Sequence, residues 1–342
     1  MIPNEYIDAL GMEIQSRMDV SNCKAMPWHG STIYLPTIFI GGGTPSLMTA
    51  VQIMKLGSHC KNAPEWSIEI NPGTITSEKL HAMKQIGINR ISIGIQSFND
   101  EELQLLGRIH DRKTAIDAIE MVRNAGFKNF NVDLIFGLPG QSLNNWKQTL
   151  EIAIEQSPTH ISAYNLQIEE NTPFYERQYS LDNDKEYAMY TYTIDALKSQ
   201  GYIHYEISNF AKPGFECKHN INYWKNGDYL GIGVSAASHL NGKRYVNSNN
   251  IDEYIKAPVN NRIEEDRSDK DEITETIFMG LRLMKGLNLK DFETRFNKPI
   301  TAIYEKELRE LTNEDLVTIA DNHLYLTNKG IFLANIVFEK FI

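Results

Sequence analysis

Short apolar runs alternate along the chain with stretches in which apolar residues recur every three or four positions. The runs Thr37–Ile40, Ser67–Ile70, Arg90–Ile95, Asn131–Phe136 and Ile161–Ile168 are rich in Ile, Val and Phe. They are nearly continuous, as suits strands buried on both faces. The intervening stretches predict helices. Thr76 or Ser77 can cap one that carries Leu80 and Met83 and stops near Gly87. A second runs from about Arg112, with Ala115, Ile116, Ile119 and Val122 on one side and Gly126 as its stop. Ser142 can begin a third, with Leu143, Trp146, Leu150, Ala153 and Ile154 inward. A fourth, from about Asn183 to Ser199, presents Tyr187, Tyr190, Ile194 and Leu197.

Repeated strand–helix units predict a parallel sheet with right-handed crossovers. Periodicity alone leaves open a barrel segment or an open doubly wound sheet. The chain opens on a helix, about Pro3 to Met18, with Tyr6, Ile7, Leu10 and Ile14 at helical spacing. A βα repeat would place a strand before it, and without one Thr37–Ile40 is an unpaired apolar edge. The expectation is that a βα unit is missing upstream of Met1, through a start placed too late or a true loss. Retention of the polar residues downstream favours the first.

After Gly201 the pattern changes. Tyr202–Asn209 predicts a strand and Tyr229–Ala237 a glycine-rich strand end, with His219-Asn220-Ile221-Asn222-Tyr223-Trp224 between them. The tail predicts helices over Glu272–Met284, Leu289–Phe296 and Ile300–Leu311, a ribbon around Leu316–Leu326 and a last helix from Asn328. That order resembles a winged helix. The expected organisation is a barrel over 1–200, an extension with a polar linker over 201–268 and a winged-helix-like α+β domain over 269–342.

The 342 residues carry a formal charge of −10, which argues against nucleic acid, since phosphate binding needs clustered Lys and Arg. The acidic run Glu264, Glu265, Asp266, Asp269, Asp271 and Glu272 predicts a solvated linker or helix start. No apolar run approaches the roughly 18 residues a transmembrane helix needs. The N-terminus carries Asn4, Glu5 and Asp8, unlike a signal or transit peptide, so the expected location is the cytoplasm. The three cysteines, Cys23, Cys60 and Cys217, are too scattered for a CxxC chelate and predict isolated thiols.

Ligands of parallel α/β folds lie at the C-terminal strand ends, and polar residues gather there. Gly41-Gly42-Gly43-Thr44-Pro45 follows the first strand, where bare backbone N–H groups can meet an anion or carboxylate. Glu69 stands between two isoleucines and needs a cationic or donor partner. Gln96 ends the third strand, Arg108 follows it, and Asp133 interrupts the fourth. Each could be a satisfied core group; together, on successive strands, they point to a ligand cavity.

The segments Gly-Gly-Gly-Thr-Pro at 41–45, Glu-Ile-Asn-Pro at 69–72, Arg-Ile-Ser-Ile-Gly-Ile-Gln-Ser-Phe at 90–98 and Asp-Leu-Ile-Phe-Gly-Leu-Pro-Gly at 133–140 resemble the radical S-adenosylmethionine proteins related to oxygen-independent coproporphyrinogen oxidase. The His219–Trp224 segment resembles the HNxxYW motif of the HemW branch, haem chaperones rather than oxidases. The resemblance spans essentially the whole chain. It implies an α/β fold, a partial (β/α)6 barrel of radical SAM type lacking its first strand here, plus the small winged-helix-like domain. It implies that Gly42, Gly43 and Thr44 hold the amino-acid end of S-adenosylmethionine and Glu69 its amino group, with Gln96, Arg108, Asp133 and Gln167 lining the cavity. The implied partners are haem, with His219 a candidate iron ligand and His239 a second, and an acceptor protein the sequence does not name.

One departure is large. The family's CxxxCxxC motif for a [4Fe–4S] cluster is absent from this chain, and such a cluster requires thiolates, so the chain as written is not expected to perform radical chemistry. The leading expectation is haem binding and transfer, with S-adenosylmethionine and a cluster belonging to the full-length form. A coproporphyrinogen III dehydrogenase is the enzyme alternative, and a binding module with neither activity is the third.

Overall fold

The computed structural model describes residues 2–18, 35–60, 63–177, 179, 182–260 and 262–342; Cys23 lies outside them. The described residues fall into two compact units, one within 36–54 and 62–216 and the other within 2–35, 55–61 and 217–342.

The first unit is built on a seven-stranded sheet of β1 (Thr37–Ile40), β2 (Glu65–Ile70), β3 (Arg90–Gln96), β4 (Asn129–Phe136), β5 (His160–Asn165), β6 (Ile203–Glu206) and β7 (Asn209–Ala211). The order is β1-β2-β3-β4-β5-β7-β6. Strands β1 to β5 are parallel, while β7 is antiparallel to both β5 and β6. The stretch expected to be one strand, Tyr202–Asn209, is therefore half of a hairpin that turns at Ile207 and Ser208 and extends the barrel sheet beyond residue 200. This sheet is the partial barrel of the radical SAM type.

The strands are not apolar on both faces. Their side chains alternate. One face carries Ile68, Ile70, Ile91, Ile93, Ile95, Val132, Leu134, Phe136, Ile161 and Ala163, all buried. The helices Ser77–Gln85, Arg112–Asn124 and Leu143–Glu155 bury Leu80, Met83, Ala115, Ile119, Val122, Trp146 and Leu150. The other face reads Ser67 and Glu69 on β2, Arg90 and Ser92 on β3, Asn131 and Asp133 on β4, His160 and Ser162 on β5. Inspection for apolar content alone hid this second, polar face.

Helix boundaries follow their capping residues. Thr76 Oγ1 accepts from Lys79 N, Asp111 from Thr114 N and Ser142 from Asn145 N. In Asn183–Ser199 the buried face is Glu186, Met189, Tyr190, Thr193 and Leu197, and Tyr187 is exposed. Polar anchors rotate the helix away from the expected aromatic stripe: Glu186 accepts from Asn165 Nδ2 at 2.7 Å, and Thr193 from the Trp146 indole at 2.9 Å.

The second unit contains the helix Asn4–Arg17, the three-stranded antiparallel sheet of β8 (Ala237–Leu240), β9 (Lys243–Asn247) and β10 (Arg262–Glu264), and the tail. Glu13, fully buried, holds the opening helix to distant chain. It accepts from Gly233 N at 3.0 Å, Asn247 Nδ2 at 3.0 Å and Tyr254 Oη at 2.6 Å. The expected strand end Tyr229–Ala237 is instead one bridge, Tyr229 to His239. The tail has helices Asp269–Leu281, Leu289–Phe296 and Glu305–Asn313, then β12 (Val317–Ala320) and β13 (His323–Leu326), with β11 (Leu287–Asn288) completing the sheet β11-β13-β12. Part of the acidic run is indeed a helix start, closed by a capping box between Ser268 and Asp271. No helix among the described residues is long and apolar enough to cross a membrane.

Candidate functional site

In the first unit, the ends of β1 to β4 bring Gly42, Glu69, Gln96 and Asp133 to one rim. Gly42 and Gly43 have φ of +77° and +55°, a region costly for side chains with a Cβ. That turn aims Gly42 N–H at Glu69 Oε2, 3.2 Å away. Burial raises the pKa of Glu69, the charge of Asp133 raises it further, and the Gly42 N–H works against both. Asp133 accepts from Asn131 Nδ2 at 2.7 Å and Ser92 Oγ at 3.0 Å. Burial still pushes its pKa up against those bonds and the Arg90 charge. The rim therefore holds two carboxyl groups whose ionisation burial disfavours.

Gln96 sits at a β-bulge with φ +71° and folds back, so that its Nε2 lies 2.9 Å from where a Gly94 Cβ would stand. Glycine at 94 makes room for the amide beside the Asp133 row. Arg108 is half-buried and its Nε has no hydrogen-bond partner. Thr44 begins the turn Pro45–Leu47. Gln167, by contrast, is exposed on the segment after β5, and no hydrogen bond ties it to the other residues.

Two groups beneath the rim escaped the sequence reading. His110 Nε2 donates to the Ile95 carbonyl at 3.1 Å, holding the segment after Arg108 to the end of β3. His160 is fully buried, with Nδ1 2.7 Å from Asn131 Oδ1 and Nε2 2.8 Å from Tyr205 Oη. Asn131 spends its amide protons on Ser92 and Asp133, so its Oδ1 accepts and His160 Nδ1 must carry the proton. Burial and the Arg90 charge keep that imidazole neutral, its pKa well below the usual value. The period-2 polar pattern N-x-N-x-D in 129–133 was the available signal.

In the second unit, the helix Lys218–Trp224 displays the HNxxYW segment. His219 Nε2 lies 3.0 Å from Tyr223 Oη, one turn on, with the rings edge to face. Burial pushes the Tyr223 phenol up to about 12, so it stays neutral at ordinary pH. Asn222 is structural: its Nδ2 donates to Asp228 O, and its Oδ1 fills the space a Gly227 Cβ would need. Tyr223, Trp224, Asn226, Tyr229, Arg244 and Met279 line a cavity of about 190 Å³.

An ion-pair cluster adjoins this cavity. Glu275 binds Arg244 and Arg267, and Glu272 binds Arg295 and Arg267. His239 is not available as a haem ligand: it is buried, with Nδ1 3.2 Å from Gly227 O and Nε2 3.3 Å from Glu272 Oε2. Glu272, expected to be solvated, is instead part-buried; burial opposes its ionisation, but the His239 bond and the Arg295 charge outweigh it and lower its pKa. Among the described residues no group of three or more His, Cys, Asp or Glu could hold a metal ion. Cys217 is buried, and burial pushes the Cys60 thiol up to about 11, away from the thiolate form.

Residues 28–153 match the radical SAM superfamily and 268–333 the HemN C-terminal domain. The chain is 39% identical over 321 residues to the heme chaperone HemW of Lactococcus lactis, covering 90% of this chain and 85% of that protein. It belongs to the HemW family. A second member, the heme chaperone HemW of Bacillus subtilis, is 34% identical over 90% of this chain and 86% of its own length. The solved structure of Escherichia coli coproporphyrinogen III oxidase (HemN), described as a radical SAM enzyme, superposes with a TM-score of 0.81. It covers 99% of this chain and 82% of that one at 24% identity, a likeness of fold.

Proposed function

We propose that this protein binds haem and passes it to an acceptor protein, as the names of its HemW relatives describe. The observation that carries the reading is the pairing of His219 with Tyr223 on one helical face, beside an aromatic cavity. An imidazole is a common iron ligand, and Nε2 here shares a hydrogen bond with a phenol that burial keeps neutral. Exchanging a neutral hydrogen bond for a metal bond is a modest change. The test is titration of the full chain with ferric haem, read by the Soret band. His219→Ala is expected to weaken binding at least tenfold, and Tyr223→Phe to leave it within about twofold. Absence of any Soret shift with the native chain would overturn the reading. Release of haem to an apo-haemoprotein measures the transfer.

Under the same reading, S-adenosylmethionine belongs at the rim of β1 to β4. The residues fit it: Glu69 and Asp133 are buried acids whose raised pKa values a bound cation would relieve, and the ligand carries an ammonium and a sulfonium. The Gly42–Thr44 turn would receive its amino-acid end, with Gln96 and Arg108 at the margin. A [4Fe–4S] cluster would supply electrons to this ligand. The sequence carries no CxxxCxxC segment for such a cluster, so the residues here are assigned binding and orientation only. The oxidase alternative has no observation of its own.

A further inference from the structure

In the second unit three arginines are matched to two acids, and a fourth is not. Arg244, Arg267 and Arg295 each pair with Glu272 or Glu275. Arg282, at the end of the helix Asp269–Leu281, has no ion pair and no side-chain hydrogen bond among the described residues. Its guanidinium lies over the Trp224 ring, 4.5 Å from the centroid, and its Nε is buried without a partner. The Trp224 indole Nε1 is likewise buried without a partner. A stacked guanidinium uses only its face. Its in-plane N–H donors stay free for a planar acceptor, and a carboxylate fits that fork. The indole N–H adds another donor in its own plane.

Trp224 also lines the cavity of about 190 Å³. That volume is below the roughly 300 Å³ of the smallest drug-sized pockets, so it suits one arm of a ligand and not a macrocycle. Two unused buried donors and a small aromatic cavity share one indole, five residues or fewer from Tyr223, Asn226 and Tyr229 in sequence. We propose that Arg282 and Trp224 form an acid-binding subsite that receives a propionate carboxylate of the tetrapyrrole. This rests on the haem reading and deepens it: His219 meets the iron and Arg282 the periphery.

A cation at a helix C-terminus also interacts with the helix dipole. That role is indifferent to whether a ligand's acids are free, and the experiment exploits the difference. Ferric protoporphyrin IX and its dimethyl ester are titrated by absorbance into the full-chain native protein, Arg282→Gln and Arg282→Lys. A charge-assisted bond is worth about 1.5–3 kcal/mol, or about 10- to 100-fold in affinity. The native protein should therefore prefer the free acid by at least tenfold. Arg282→Gln should remove that preference by weakening the free acid alone, and Arg282→Lys should keep part of it. Equal affinity of the native protein for acid and ester, or equal weakening of both by Arg282→Gln, would overturn the subsite while leaving haem binding intact. No binding of either porphyrin by the native protein would overturn the haem reading and the subsite together.

Discussion

Glu69 works against the stability of its own fold. The turn at Gly42 and Gly43 supplies it with one N–H, which does not offset burial and the neighbouring Asp133 charge. A carboxylate with a raised folded pKa is most at ease protonated. Its stabilising contribution is present at low pH and lost as pH rises through the raised value. Glu69→Gln should therefore raise the melting temperature of the ligand-free protein at pH 7, with the gain shrinking as pH falls toward the ordinary carboxylate range. On the proposal that S-adenosylmethionine binds at this rim, the same substitution should weaken it at least tenfold by calorimetry, because a neutral amide forms no ion pair with an ammonium. A lower melting temperature at pH 7 would mean that an unseen cation already satisfies the rim. Glu69, Gln96 and Asp133 were legible in the sequence as polar interruptions of apolar strands. His160 and His110 were not, because each acts through contacts to Asn131 and Ile95 that no local pattern encodes.

The strands illustrate a different limit. Their residue types announced β-structure, and their spacing announced parallel units. Yet R-I-S-I-G-I-Q and N-F-N-V-D-L-I-F contain a full alternating face of polar residues, which a count of apolar content passes over. That face carries the polar residues of the proposed site. Where backbone meets backbone, the constraint is sharper. A Cβ on Gly231 would stand 1.9 Å from the Ala237 carbonyl oxygen, so the two ends of the Tyr229–Ala237 stretch pass too closely for any side chain. Gly231→Ala is expected to destabilise the protein by about 2 kcal/mol, read as a lower urea midpoint. An unchanged midpoint would show that this turn relaxes freely. The glycine itself was visible in the sequence. Its reason, a second segment of backbone pressed against it, was not.

At the scale of the whole molecule, Glu13 ties together segments far apart in the chain. Its partners Gly233, Asn247 and Tyr254 lie more than two hundred residues away in sequence, and all are buried with it. A fully enclosed carboxylate with three donors is strongly destabilising to remove, since the donors remain behind unpaired. Glu13→Ala should lower stability by about 3 kcal/mol, and limited proteolysis should then cut first within residues 2–18. Proteolysis that leaves this helix intact would show it held by its apolar face, Ile7 and Ile14, alone. The contacts of this helix group it with residues 55–61 and 217–342.

The order of strands and helices, the glycine turn after β1, the acids of β2 and β4 and the HNxxYW segment were all set by local residue type and spacing, which the chain carries wherever it lies. Capping residues began the helices for the same reason. What needed the folded chain was every relation between residues far apart in sequence. The hairpin of β6 and β7 joins the barrel sheet by pairing with β5. Tyr187 faces outward because Glu186 and Thr193 find partners on β5 and Trp146. Arg282 has no ion pair among the described residues and lies over Trp224, while Glu272 and Glu275 pair with three other arginines. A side chain's partner depends on which segments meet, and burial multiplies the energetic consequence of that meeting. Sequence spacing records neither.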